Sequence, residues 1–457
     1  MTNRLDRDFH LPGLLRFALP TIIMMLVVSL YTIVDGVLIA RLVGENALAA
    51  ANVAYPAISF TLAMGIMLGT GGSAVVAHKM GAGYLEEARR DFGFLALVAV
   101  CIGLAVCLAG ALFAGPLARL LGASDLLLDD TVTYLRVQLC FAPMAMLQLL
   151  FESFFVTAGR PGLGLGLATA AGVTNAVLDY LYMGPMQMGI LGAALGTVTG
   201  YSIPAVAGGL FFLLRRQGLR FGRPHGDLRM LGRACFNGAS EMVTNLSMAV
   251  TTFLFNAIMM AYLGEAGVSA ITIVLYAQFL LVALYMGFSM GVAPVFSFNR
   301  GAGRYDRMRR IFGYCLRFIL VSSVAILAVA LALSGVVVGI FSTPGSPVYA
   351  IALDGFRRFA PAFLFAGVNI FSSALFTALS DGRTSAIISF ARTFGFLLLG
   401  LLLLPRLLEV DGVWLAVPLA ELLSCLLSVW FLRRKRADFG FGGGDLPRHG
   451  GRGGGRT

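Results

Sequence analysis

GAGYLEEARRDFG at residues 81–93 returns 220 positions later as GAGRYDRMRRIFG at 301–313, with seven of the thirteen positions identical. The same offset relates Gly44-Glu45 to Gly264-Glu265, Thr157-Ala158 to Thr377-Ala378, and Gly192 to Gly412. FAP at 141–143 recurs as FAP at 359–361, with a slip of two. Chance does not hold one offset over this much chain. The sequence is two homologous halves joined by a basic stretch, 215–232.

The chain around the repeat is apolar. Of its 457 residues, 58% are hydrophobic and 12% charged, with a mean hydropathy of +0.86. A soluble protein has no use for that much apolar surface, so the class is a polytopic membrane protein. Stretches of roughly 20 apolar residues fall near 14–42, 50–78, 92–115, 132–158, 164–184, 188–214, 233–263, 267–297, 312–341, 350–379, 385–405 and 412–432. The first is too long, and has the wrong flanks, for a cleaved signal peptide. Six spans per half return the chain to its starting side, so the halves share one orientation about an axis along the membrane normal. The expected fold class is all-α, with about twelve transmembrane helices in two parallel-repeat six-helix bundles. The N-lobe covers 1–214, the linker 215–232 and the C-lobe 233–436, followed by a disordered Gly/Arg-rich tail, 437–457.

The net charge of +11 raises the question of nucleic acid, but its distribution argues against it. Arg215, Arg216, Arg220, Arg223, Arg229 and Arg233 follow span six, and Arg300, Arg304, Arg307, Arg309 and Arg310 follow span eight. Lys79, Arg89 and Arg90 follow span two, and Arg433, Arg434, Lys435 and Arg436 follow span twelve. The opposite connections hold few: Arg41, Arg119, Arg406, and the pair Arg357 and Arg358. That is the positive-inside pattern of a multi-pass protein with both termini in the cytoplasm. Cys101, Cys107, Cys140, Cys235, Cys315 and Cys425 lie in or beside apolar spans and read as small core residues. The four histidines show no metal spacing, and no GxSxG, HExxH or Walker A motif is present. An enzyme is therefore not expected. Transport driven by an ion gradient is.

The chemistry lies in YTIVDGVLIA, residues 31–40, where Asp35 sits inside an apolar run. A lone carboxylate at membrane depth is costly unless something pairs with it or protonates it. Span five carries Asn175 and Asp179, four apart and so on one helical face. Span six carries Thr197. At 1.5 Å per residue, Asp35, Asp179 and Thr197 fall roughly 10, 8 and 13 Å from the outer ends of their spans. Two carboxylates, an amide and a hydroxyl at one level form a hard-oxygen cage. It suits Na⁺, a shared proton or an organic cation. Two acids held close cannot both stay ionised cheaply, which suits the pair to carrying a proton.

The chain resembles the multidrug and toxic compound extrusion (MATE) family, most closely its branch of small bacterial multidrug exporters. The resemblance runs from about Leu11 to Arg436. It rests on VDG in span one, the GAG-x-x-x-x-x-RR loops, the AGR and DGR turns after spans four and ten, Asn-x-x-x-Asp in span five and GAALGT in span six. It implies a V-shaped monomer in the bacterial cytoplasmic membrane. Such a protein exports small lipophilic cationic drugs or dyes in exchange for Na⁺ or H⁺, with no cofactor beyond the coupling ion. By resemblance, Asp35, Asn175, Asp179 and Thr197 match the family's N-lobe cation site, and would be metal ligands in the Na⁺-coupled case. Pro20 matches the proline at which helix one is proposed to bend, and a proline there removes a backbone hydrogen bond. The second half departs from this pattern: Phe255 stands opposite Asp35, and no acid pair stands opposite Asn175 and Asp179.

Glu152, Gln278, Arg392 and Glu421 are further polar residues at membrane depth. Arg392 needs an acid, and Glu421 is the nearest candidate in the same half. Glu152 is a candidate attractor for a cationic drug. The rival function is a lipid-linked oligosaccharide flippase of a related V-shaped family. That function calls for several Arg and Lys in the cavity, whereas the cavity-level charges here are mainly acidic.

Overall fold

A computed structural model describes residues 4–439, so the tail expected at 437–457 lies outside the described residues from 440 onward. The first half contains α1 (Leu11–Leu38), α2 (Glu45–Gly81), α3 (Leu85–Leu120), α4 (Leu128–Cys140), α5 (Ala142–Thr157), α6 (Pro161–Met183) and α7 (Gly189–Leu214). The second contains α8 (Leu228–Gly301), α9 (Tyr305–Ala332), α10 (Ser334–Phe341), α11 (Pro347–Phe359), α12 (Ala362–Ala378), α13 (Gly382–Phe390) and α14 (Leu398–Arg434). Apolar runs this long satisfy every interior backbone group within the helix, as a bilayer demands.

Twelve spans result among the described residues. Two are bent pairs, α4 with α5 at 55° and α11 with α12 at 56°. The bends fall at Phe141 and at Ala360-Pro361, the two copies of FAP, where proline withholds a backbone N–H. Two more spans share α8, which breaks at Gly264 (φ 63°, ψ −151°), and another two share α14 and the turns before it, which break at Glu409. Gly264 repeats Gly44 (φ 125°), and both take left-handed φ values that glycine adopts without strain. Pro20 does not interrupt α1, which is helical throughout.

Three apolar cores describe the shape. One draws only on the first half, from Ile39 to Ala194, and one only on the second, from Phe255 to Val417. The third mixes both halves and lies toward the end of the bundle that carries the basic loops. The halves share a core at that basic end and keep separate cores at the other. That is a V, opening away from the basic end.

The closed end is sealed by backbone packing. A β-carbon on Gly71 would meet the carbonyl of Ala234, and one on Gly238 the carbonyl of Met67. A β-carbon on Gly81 would meet the carbonyl of Phe298, and one on Gly301 the carbonyl of His78. The last two contacts exchange under the 220-residue offset, so they are one contact made twice across a pseudo-twofold axis. The acidic residues of the N-terminal segment also cross to the second half: Asp6 pairs with Arg304 and Arg307, and Asp8 with Arg310 at 3.0 Å.

Two expectations need correction. The linker is shorter than 215–232, because Asp227 caps α8 by accepting from the backbone N–H groups of Arg229 and Met230 at 3.0 Å, so the helix starts at Leu228. What remains of the linker is pinned to the first half. Gly222 N–H donates to Arg89 O at 2.9 Å, and Phe221 stacks on Phe92 with ring centres 4.9 Å apart. The cysteines are not all core residues. Cys315 is buried, Cys101 is exposed and the rest are half-buried, all of them free thiols. Apolar spans have two apolar environments, core and lipid, and composition alone does not separate them.

Candidate ion-coupling site

Helices α1, α6 and α7 bring the four residues expected at one depth into one place. Asn175 Nδ2 donates to Asp179 Oδ2 at 2.9 Å, the i, i+4 geometry of a shared helix face. Asp179 is fully buried and Asn175 is 4% exposed. The carboxyl of Asp35, on α1, which packs against α6, stands near enough to that of Asp179 for the two charges to act on each other. Oδ1 of Asp35 and Oδ1 of Asp179 are buried with no donor to satisfy them. Two carboxylates have no proton to offer each other, so the pair calls for a bound proton or a cation between them.

Gly196 makes the arrangement fit, since a β-carbon there would collide with Asp179 Oδ1. Thr197, next along α7, donates its hydroxyl to Ala193 O at 3.0 Å and keeps its lone pairs for the site. Thr197 and Asn175 also line a small cavity with Tyr31, Gln148 and Tyr201, which has room for about one water.

The other sequence candidates separate. Glu152 is 9% exposed and accepts from Gln148 Nε2 at 3.0 Å, on the far side of that cavity. Arg392 and Glu421 meet in the C-lobe: Nε and an Nη of the guanidinium both donate to Oε1, at 2.9 and 2.5 Å. Asn369 adds a bond to the same carboxylate at 2.6 Å, and Ser428 in turn donates to Asn369. This charge is compensated within its own lobe. Gln278 is half-buried on α8 and makes no side-chain hydrogen bond among the described residues. Pro20 lies four turns before Asp35 on the unbroken α1, on the basic-end side of the site.

Sequence reasoning passed over Tyr31, Gln148 and Tyr201. A signal was available for two of them. Tyr31 is one turn from Asp35 and Gln148 one turn from Glu152, each on the acid's own helix face. Glu241, early in α8, is half-buried, and Arg392 is the charged group acting on it.

The profile of the MatE family matches residues 20–181 and 242–402, one block in each half. The chain is 24% identical over 438 residues to the multidrug export protein MepA of Staphylococcus aureus (strain NCTC 8325 / PS 47), with 92% of this chain and 94% of that protein covered. In structure it is similar to "Crystal structure of MATE in complex with MaL6", with a TM-score of 0.88 at 19% identity over 93% of this chain and 96% of that one. It is also similar to "Outward-facing conformation of a multidrug resistance MATE family transporter of the MOP superfamily", with a TM-score of 0.87 at 18% identity and the same coverage.

Proposed function

The chain belongs to the MatE family, and on that premise we propose that it is a secondary active exporter of lipophilic organic cations, driven by inward flow of H⁺ through the N-lobe acid pair. The observation that carries this reading is the pairing of Asp35 with Asp179, a half-buried and a fully buried carboxyl whose Oδ1 atoms are both shut away without a donor. With one proton shared, the pair carries a single net negative charge. With that proton gone it carries two, in a low-dielectric wall, where a cation is strongly attracted. Proton and cationic drug then compete for one charge, and alternate occupancy on the two sides of the membrane is exchange. The C-lobe pair Arg392–Glu421 is self-neutralised, and the acids at membrane depth left without a salt bridge among the described residues are Asp35, Asp179 and Glu152 in the N-lobe and Glu241 early in α8. This favours a cationic cargo over a glycan phosphate.

The basic end is assigned to the cytoplasm by the positive-inside rule, which puts both termini there and the protein in a bacterial inner membrane. The V then opens to the outside. Na⁺ is the rival coupling ion, since the same oxygens suit it. The deciding experiment is dye flux in proteoliposomes under a pH gradient or a Na⁺ gradient imposed separately, with Asp179→Asn alongside. Flux under the pH gradient that is lost in the variant is expected. Flux under Na⁺ alone would replace the ion, and no flux under either would overturn the exporter.

A further inference from the structure

We propose that Glu152 is a second proton station of the antiport cycle, joined to the Asp35–Asp179 pair through Tyr31, Tyr201 and about one water in the cavity between them. The inference rests on the exchange reading above and deepens it by giving the proton a route toward the basic end.

Five side chains from α1, α5, α6 and α7 converge on the cavity: Tyr31, Gln148, Asn175, Thr197 and Tyr201. At one wall, Asn175 holds Asp179. At the other, Gln148 donates to Glu152. Gln148 is 5% exposed, and its Oε1 has no hydrogen-bond partner, so a polar group lining the cavity still lacks one. Both tyrosines stand close enough to Asp35 and to Glu152 to interact with the charge of each. Tyr134 on α4 stands by Asp35, Asp179 and Tyr201, and Tyr55 on α2 by Tyr201, so four phenols and two acid stations are the titratable groups around the path. The cavity is too small for a drug and large enough for a water.

The repeat argues that these polar groups do not serve packing alone. FESFFVTA at 151–158 matches FSSALFTA at 371–378, which puts Ser372 opposite Glu152 and Val368 opposite Gln148. The C-lobe builds the same bent pair without either. The acid, its amide partner and the Asp35–Asp179 pair are all confined to the N-lobe.

Position along the membrane fits a relay. Glu152 lies five residues from the end of α5, about 8 Å of helix rise from the basic end. Asp179 lies eighteen residues into α6, about 27 Å from the same end. In the transfer step, an O–H bond breaks at the acid pair, the hydroxyls and the water each pass one proton on, and an O–H bond forms at the Glu152 carboxylate. No electrons change hands. The amides of Gln148 and Asn175 orient the path and carry nothing.

The test uses the full-length protein in proteoliposomes with ethidium as cargo and a pH dye in the lumen. Parent, Asp179→Asn, Glu152→Gln, Glu152→Asp and Gln148→Leu are compared. Glu152→Gln is expected to lower the maximal rate of pH-driven export by more than about tenfold while the ethidium KM stays within about twofold. Glu152→Asp should restore much of the rate, and Gln148→Leu should fall between them. A Glu152→Gln rate equal to the parent's, with Asp179→Asn inactive, would overturn the relay and leave the exchange reading standing. A loss carried by KM would make Glu152 a cargo contact and overturn it too. A parent unresponsive to the pH gradient would remove both.

Discussion

Replacing Gly81 and Gly301 together by alanine should tilt the molecule away from the closed basic end. Each added β-carbon would run into a backbone carbonyl of the facing helix, Phe298 in one case and His78 in the other. A backbone atom cannot swing aside as a side-chain tip can. Overpacking of this kind costs about 1–3 kcal/mol per site. The two sites are close enough to couple, but both push the same helices apart, so a total of about 2–6 kcal/mol is expected. The helix-propensity gain of Gly→Ala is common to open and closed states and cancels from their ratio. At about 1.4 kcal/mol per tenfold, the closed fraction relative to the open one falls by roughly 30-fold or more. The readout is a single cysteine at Ala74, 3% exposed and one turn from Gly71 on α2, in a protein whose six native cysteines are replaced. A membrane-impermeant maleimide added at the basic side should label it at least about tenfold faster in the double variant. Equal labelling, with monodisperse protein and an unchanged melting transition, would refute the claim that this contact is the seal.

Three further outcomes follow from single contacts. Glu421→Gln leaves the Arg392 guanidinium unpaired in the C-lobe and should cost about 3–5 kcal/mol in detergent unfolding, while Arg392→Met with Glu421→Met should cost less than the sum of the two single changes. An additive double variant would show the pair uncoupled. Gly196→Ala should displace the Asp179 carboxyl from Asn175 and lower export by more than about tenfold with the fold retained; parental flux would show that the carboxyl has room to turn. Backbone N–H groups of Met230 and Arg229 hold Asp227 below the usual carboxylate range. Because that value is depressed in the folded state, the cap's contribution is present above the ordinary Asp value of about 3.9 and is lost as pH falls through the folded value. Amide exchange at the start of α8 should therefore stay slow at neutral pH, speed up only in strong acid, and be fast at every pH in Asp227→Ala.

Much of the fold was legible because hydropathy and a repeat offset are both one-dimensional signals. Twelve spans, two equivalent halves and one depth for Asp35, Asn175, Asp179 and Thr197 need no knowledge of neighbours. The pairing of Arg392 with Glu421 was legible for a related reason: a buried guanidinium leaves few choices of partner. Lateral information was not available. Nothing in the spacing of Cys101 tells lipid from core, and nothing in the run of α8 says that spans seven and eight join with only Gly264 to break them. The bends at both FAP copies were hidden inside spans of ordinary length. Tyr201 was unreadable because its place beside the cavity is set by acids on other helices, not by any residue near it in the chain.

The exchanged contact at Gly81 and Gly301 has the form of an isologous interface, in which one surface meets its own copy. Such a contact needs only one solution, because whatever lets a surface fit its twin is used on both sides. A single six-helix half, paired with a second copy of itself in the same orientation, could make this seal with no further change. Fusion into one chain then leaves the seam under a twofold constraint and frees everything away from it to diverge. That is the distribution seen here, with matching glycines where the halves touch, and a lobe with a carboxyl pair and a salt-bridged lobe where they do not.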